Sequence, residues 1–210
     1  FSNGMPDYTF RGPNGAGVAM EGDPAVDPSL YFYEKKNSGR NYIIQKVNKE
    51  GEDWFHNIFR PANSTQHVAS VSGGGENNRY YFGLGYLDQN GTLYKSYYKR
   101  YSARINTEFN IGRNIRIGEN LNLLFRQKSN GGNGMGAAYQ MLPIVPLRDI
   151  MGNYAGTFGG PSLGSFSNSV ANQERDSQDI NYNWGIAGNV FADVKILKNL
   201  VFTTSLGVNY

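Results

Sequence analysis

Few side chains in this 210-residue sequence are of the types that catalyse reactions or bind metals. It contains two histidines, His56 and His67, and no cysteine. A zinc site needs more nitrogen or sulfur ligands at suitable spacing, and neither histidine accompanies a nucleophile motif. Asp23, Asp27 and Asp149 lie in predicted loops, where carboxylates either bind calcium or are simply solvated. We therefore predict no enzymatic activity, no metal site and no cofactor, and leave calcium binding open.

Two other stretches have some character of nucleic-acid or nucleotide sites. RYYFGLGY at 79–86 is basic and aromatic like an RNA-binding strand, but that module needs two helices, and no helical periodicity accompanies it. GGGENN at 73–78 is glycine-rich, but it joins two predicted strands without a helix N-terminus to hold a phosphate. The net charge of +3 is mild. We predict no nucleic-acid partner.

Charged residues instead follow an alternating pattern. In KRYSARINTEFNI, residues 99–111, every second residue from Tyr101 is apolar apart from one threonine, and the intervening residues are polar or charged. Successive strand residues point to opposite faces, so this pattern predicts a strand with one apolar and one polar face. On this strand and its neighbours, the polar face carries Arg79, Arg100, Arg104, Glu108 and Arg126.

Six segments share this period of two, which indicates strands. They are residues 65–74, 78–88, 100–111, 114–127, 182–194 and 200–210. Three connections are short turns, whereas residues 88–99 and 128–178 form long links. Alternate connections of an antiparallel meander lie at opposite ends. We therefore expect all tight turns at one end and both long links at the other.

Residues 1–62 differ from this pattern. They are dense in Gly, Pro, Asn and Asp, which favours an irregular loop region. The exception is GEDWFHNIF, where Asp53 could cap a short helical turn. Within the second region, 63–210, we predict membrane-spanning strands interrupted by the long loop at 128–178.

The apolar faces need a covering, and the sequence offers no layer of helices to provide it. A soluble β-sandwich binding module could bury its own faces. An outer-membrane barrel explains more, because its strands are apolar outward and polar inward and it has aromatic girdles at both interfaces. The predicted girdle residues are Tyr86, Tyr101, Trp184 and Tyr210 at the long-loop end and Tyr80 and Phe109 at the tight-turn end.

Glu119 does not fit the apolar series, since it is in register with Leu121. Two explanations remain open: a bulge at Gly118 resets the register, or the membrane begins only at residue 120.

Several stretches resemble the SusC-like (SusC/RagA) TonB-dependent transporters of Bacteroidota outer membranes. The resemblance rests on SGG before a tight turn, RYYFGLGYLDQNGTL, YKRYSARIN, DWFHNIFRPA, MLPIVPLRDIMGNYAG and LKNLVFTTSLGVNY. It covers roughly residues 28–210 and depends on the order and spacing of these motifs together.

The resemblance implies a multi-pass protein in the outer membrane of a Gram-negative bacterium. It also implies that this protein actively imports a nutrient, an oligosaccharide or a peptide. It implies a barrel of about twenty-two strands in outer-membrane lipid, a plug domain in its lumen, a SusD-like lipoprotein lid and energy from TonB. Because six strands cannot close such a barrel, we expect the chain to be a segment of a longer protein. A passive porin or a structural barrel remains the alternative.

Within this picture, the charged polar-face residues line the lumen and contact the plug or the substrate. The long loop carries side chains of the kinds that stack on sugars or hold peptides. These candidate contacts are Tyr139, Arg148, Tyr154 and Phe158.

Overall fold

The computed structural model describes residues 4–129, 131–132 and 134–210. The chain forms two compact units. We call them the loop unit (Phe1–Pro61, Thr92–Lys95 and Gly131–Gln178) and the sheet unit (Ala62–Gly91, Ser96–Asn130 and Asp179–Tyr210).

The loop unit begins with a small antiparallel sheet in the order β2-β1-β3. Its strands are β1 (Tyr8–Gly12), β2 (Gly15–Ala19) and β3 (Ile43–Lys46). The prediction that residues 1–62 are irregular apart from one helical turn is therefore wrong. These strands are only four or five residues long, too short for alternation to stand out from the surrounding glycines and prolines. Ile44, fully buried, packs with Ala19 and Val26.

The second core of the loop unit is helical. Helix α1 (Trp54–Ile58) lies where the sequence predicts a helical turn, and Asp53 caps it by accepting a 2.9 Å hydrogen bond from the His56 N–H. Trp54 and Ile58 are buried against residues of α2 (Gly134–Gln140), α3 (Ser169–Asp176) and the segment between them. No described helix is long and apolar enough to cross a membrane.

The sheet unit is a six-stranded antiparallel meander in which each strand pairs with its neighbour in sequence. Its strands are β4 (Ser64–Gly74), β5 (Asn78–Asn90), β6 (Tyr97–Ile111), β7 (Ile115–Ser129), β8 (Ile180–Leu197) and β9 (Leu200–Asn209). The predicted all-β, up-and-down fold is confirmed, and the six strands form an open sheet rather than a closed barrel. The tight turns lie at one end and the long links at the other.

Candidate functional site

The polar face of the sheet unit brings the predicted charged residues together. Arg79 lies directly opposite Glu108, and Arg100 lies directly opposite Arg126. Arg104 pairs with a glycine on β5 and an asparagine on β7. Direct cross-strand partners share a face, so all five side chains project from the same side. Their contact with a plug or a substrate stays a prediction.

At the tight-turn end of this face, charges of opposite sign are paired. Arg116 donates to Asp193 Oδ2 at 2.9 Å from Nε and 2.6 Å from Nη2, and Glu108 lies 3.6 Å from its guanidinium. The Thr203 hydroxyl donates to the other carboxylate oxygen of Asp193 at 2.7 Å. The sequence analysis missed Arg116 as a polar-face residue, although it lies on the same alternate series as Arg126.

The apolar face carries a continuous aromatic row across five strands. His67, Tyr86, Tyr101, Phe125 and Trp184 are successive cross-strand partners. Their ring centroids lie 6.3, 5.0, 6.1 and 4.4 Å apart in that order. We call a row of directly opposite residues a level. Three of the residues predicted for the girdle at the long-loop end, Tyr86, Tyr101 and Trp184, belong to this level. His67 and Phe125 also belong to it and were not predicted.

The other predicted girdle residues are less aligned. Tyr210 pairs with Ile186, one level away from Trp184. Tyr80 pairs with Thr107 and Phe109 pairs with Asn78, so these two aromatic residues occupy adjacent levels near the tight turns. The girdle role of all six residues stays a prediction.

Glu119 lies within the apolar face. The register is continuous through Gly118 on both sides of β7, so the bulge explanation is wrong. Beyond Glu119, Ile117 lies opposite Phe109, so the face is apolar again nearer the tight turns. This argues against the other explanation, that the membrane begins only at residue 120. The Thr107 hydroxyl, directly opposite, donates to Glu119 Oε1 at 3.3 Å and partly satisfies this carboxyl group.

Much of the apolar face is open within the sheet unit. Leu84 is 65% exposed, Trp184 66% and Leu206 76%. A sandwich module would bury such side chains against a second sheet, and the described residues of the sheet unit supply none.

The loop unit contains a large cavity of about 1030 Å³. Two of the four predicted loop contacts, Tyr154 and Phe158, line it together with Phe166. Tyr139 does not line it, but packs edge-on against Phe55 with ring centroids 4.6 Å apart. Aromatic rings beside polar groups are suited to bind sugars or peptides.

The fourth predicted contact, Arg148, also lies off the cavity lining. Its guanidinium stacks over the Tyr154 ring at 4.3 Å and donates to the Gly152 carbonyl at 2.7 Å. Arg148 thus packs against Tyr154, a residue of the cavity lining, without lining the cavity itself.

Two buried amide side chains fix the cavity wall. Asn168 donates to the Leu147 and Ala155 carbonyls at 2.9 and 2.8 Å, and its Oδ1 accepts from two N–H groups at the start of α3. Gln45, 1% exposed, accepts from the Gly156 N–H at 2.8 Å. Neither residue was predicted. The partner of Gln45 is distant along the chain, whereas the helix cap by Asn168 is a local signal that could have found it.

A small ionic network lies beside the cavity. Lys95 forms an ion pair with Glu174, and the Tyr154 hydroxyl donates to the other carboxylate oxygen of Glu174. The contact with Lys95, and to a smaller extent the one with Tyr154, lowers the pKa of Glu174 below its ordinary value of 4.5. In return, the hydrogen bond to Glu174 raises the pKa of Lys95. A carboxyl group with a lower pKa in the folded state stabilises the fold above its unfolded pKa and loses that contribution as the pH falls through the folded value.

We therefore expect acidification from about pH 6 to about pH 3.5 to lower the thermal stability of the loop unit partly through Glu174. Glu174→Gln should reduce this pH dependence, because the amide cannot titrate. The measurement is the melting temperature of the wild-type and variant proteins at both pH values. Equal losses on acidification in the two proteins would show that the network does not contribute.

The candidate calcium ligands have structural roles. Asp23 and Asp27 each cap a short 3₁₀ helix, Pro24–Val26 and Pro28–Leu30, by accepting a backbone N–H at 2.8 Å. Asp149 accepts from the Tyr31 hydroxyl at 2.6 Å. No group of three or more potential metal ligands occurs among the residues that the structure describes.

Comparison with known proteins gives the sheet a context, although no family model matches the sequence. The chain is 29% identical over 130 residues to TonB-dependent receptor P26 of Formosa agariphila, covering 60% of this chain and 13% of that protein. It is 34% identical over 110 residues to TonB-dependent receptor SusC of Bacteroides thetaiotaomicron, covering 48% of this chain and 10% of SusC. Over these parts, this chain is similar in sequence to TonB-dependent receptors, SusC among them.

The fold of this chain agrees with this similarity. It matches part of the solved structure of the RagAB peptide transporter with a TM-score of 0.60 and 23% identity, over 78% of this chain and 19% of that chain. The aligned part is thus only 10% of SusC and 19% of the RagAB chain. Its open antiparallel sheet corresponds to a barrel segment.

Proposed function

We propose that this chain is part of a TonB-dependent transporter that imports an oligosaccharide or a peptide across an outer membrane. The observation that carries the proposal is the sheet unit, with one continuous apolar face, one polar face and an aromatic row at the long-loop end. The sequence relationship to TonB-dependent receptors supports active rather than passive transport.

The dimensions of the apolar face support a membrane-spanning role. Tyr101, in the aromatic row, and Ile111, at the tight-turn end, lie ten residues apart on β6. At ~3.3 Å per residue this is roughly 33 Å along the strand. A strand tilt of about 40° reduces that to about 25 Å of height, which is the apolar band of outer-membrane barrels.

In this arrangement the apolar face contacts lipid and the polar face lines the lumen, beside a plug domain of the same receptor. The long connections are extracellular, and the loop-unit cavity with Tyr154 and Phe158 contacts the solute or a SusD-like lipoprotein lid. Energy comes from TonB through other parts of the receptor. The similar RagAB structure is that of a peptide transporter, which makes peptides one candidate solute class.

TonB dependence distinguishes the proposed function from a passive porin. Cells expressing the receptor are given a mixture of oligosaccharides and peptides, and depletion of each compound from the medium is followed by mass spectrometry. We expect at least one compound to be depleted only when the receptor gene is present, and its depletion to stop when tonB is deleted.

A strain that lacks the receptor but retains TonB provides the control. Receptor-dependent depletion that continues at full rate without TonB would support the porin instead. No receptor-dependent depletion of any compound would count against transport of either solute class.

A further inference from the structure

The polar face of the sheet unit carries unbalanced positive charge at its long-loop end. Arg100 and Arg126 are direct cross-strand partners, Lys128 lies one level beyond Arg126, and Arg104 lies two levels from Arg100 in the other direction. We call these four residues the cationic cluster. Between the levels of Lys128 and Arg104, the described polar face carries no carboxylate. Asp179, just before β8, forms no ion pair with the cluster in the described part of the chain.

Like charges placed directly opposite each other on neighbouring strands destabilise a sheet. At the tight-turn end the same face resolves this problem internally, because Arg116 lies between Asp193 and Glu108. The sheet is therefore able to place carboxylates beside its arginines. Their absence at the long-loop end indicates that the counter-charge comes from a group outside the sheet.

A recess of about 190 Å³ lies beside the cationic cluster. Arg100 and Arg104 line it together with Tyr81, whereas Arg126 and Lys128 lie outside its lining. Gly83 and Gly85, which have no side chains, leave room for the neighbouring side chains here. A Cβ at Gly83 would lie 2.8 Å from the Tyr81 hydroxyl, and one at Gly85 would lie 2.6 Å from Ser102 Oγ. The recess thus combines guanidinium groups, an aromatic ring and a hydroxyl group around a small open volume.

We propose that the cationic cluster binds an oxyanion carried by the transported solute, so that the receptor selects acidic over neutral oligomers. This rests on the proposed function and specifies its solute class. Guanidinium groups bind carboxylates and other oxyanions through paired, charge-assisted hydrogen bonds. Arg100 and Arg126 supply two such groups at one level of the polar face, at the end where a solute enters.

Trigalacturonic acid and its trimethyl ester form a matched test pair, because they share a shape and differ in charge. Binding of each to the purified full-length receptor is measured by calorimetry in detergent at low salt, where screening is weak. We expect the acid to bind at least tenfold more tightly than the ester. Arg100→Gln and Arg126→Gln should each weaken binding of the acid about tenfold, as for loss of a charge-assisted hydrogen bond, and leave the ester unchanged.

Arg113→Gln is the control, because it removes the same charge in the tight turn between β6 and β7, at the far end of the sheet. Equal affinities for acid and ester, no binding of the acid, or equal weakening by Arg113→Gln would overturn the proposal. A lower melting temperature of the unliganded Arg100→Gln receptor, with acid binding unaffected, would show that a carboxylate of the receptor itself neutralises the cluster, and would also overturn it. None of these results alters the TonB-dependence test, so the two proposals fail separately.

Discussion

Ile105→Arg should destabilise the intact barrel by roughly 2–4 kcal/mol, the cost of an arginine on a lipid-facing strand near the membrane midplane. Ile105 pairs with Phe82 on one side and Leu121 on the other, midway between the aromatic row and the tight turns. The neighbouring change, Arg104→Ile, removes a charge from the polar face. It should cost much less, because the guanidinium of Arg104 forms no side-chain hydrogen bond or ion pair with the described residues, and its backbone pairing with Gly83 and Asn122 does not depend on the side chain.

The two variants are compared in the full-length receptor by heat-modifiability on gels, which measures the fraction of folded barrel at each temperature. Ile105→Val is the control for side-chain volume and should behave like the wild type. Equal damage from Ile105→Arg and Arg104→Ile would show that the two faces do not meet different solvents. Greater damage from Arg104→Ile would show that Arg104 anchors another part of the receptor.

Asn168→Ala should lower the free energy of local unfolding of the cavity wall by about 2–4 kcal/mol, since it removes a helix cap and the side-chain donor to the buried Ala155 carbonyl. Asn168 is 4% exposed, and its amide joins Leu147, Ala155 and the start of α3. Hydrogen–deuterium exchange of peptides covering residues 145–178 gives this free energy directly.

Asn172→Ala is the matched control on the same helix. Its side chain makes only exposed contacts, donating to the Ser167 hydroxyl at 2.7 Å and accepting from Arg175 at 3.2 Å, so the free energy from exchange should change by less than ~0.5 kcal/mol. If the two variants had the same exchange rates, Asn168 would not hold the cavity wall, and the cavity shape would depend on other contacts.

The sheet unit could be predicted from the sequence because each strand has one apolar and one polar face. Alternation around Ile105 predicts the strand and which of its residues share a face, since a slip of one residue would exchange the faces. Pairing then places Arg100 opposite Arg126. The alternating pattern did not reveal which residues lie directly opposite each other. The aromatic row through Phe125 follows from these exact cross-strand partners, which depend on turn geometry.

The loop unit could not be predicted in the same way. Tyr154 and Phe158 were identified by residue type, but the residues that hold the cavity, such as Gln45 and Asn168, act through partners far along the chain. Short strands and single buried amides leave no periodic pattern. Their positions follow from tertiary packing, which overrides local propensity.

The most direct test of the membrane-spanning sheet is the solvent at residues 104 and 105. The chain contains no cysteine, so single cysteines at these positions can be spin-labelled in the full-length receptor reconstituted in lipid. Paramagnetic relaxation by oxygen reports contact with lipid, and relaxation by a polar nickel complex reports contact with water. A lipid-facing Ile105 predicts high oxygen and low nickel accessibility at 105, and the reverse order at 104. High nickel accessibility at 105, or the same ratio at both positions, would contradict the assignment of the apolar face to lipid.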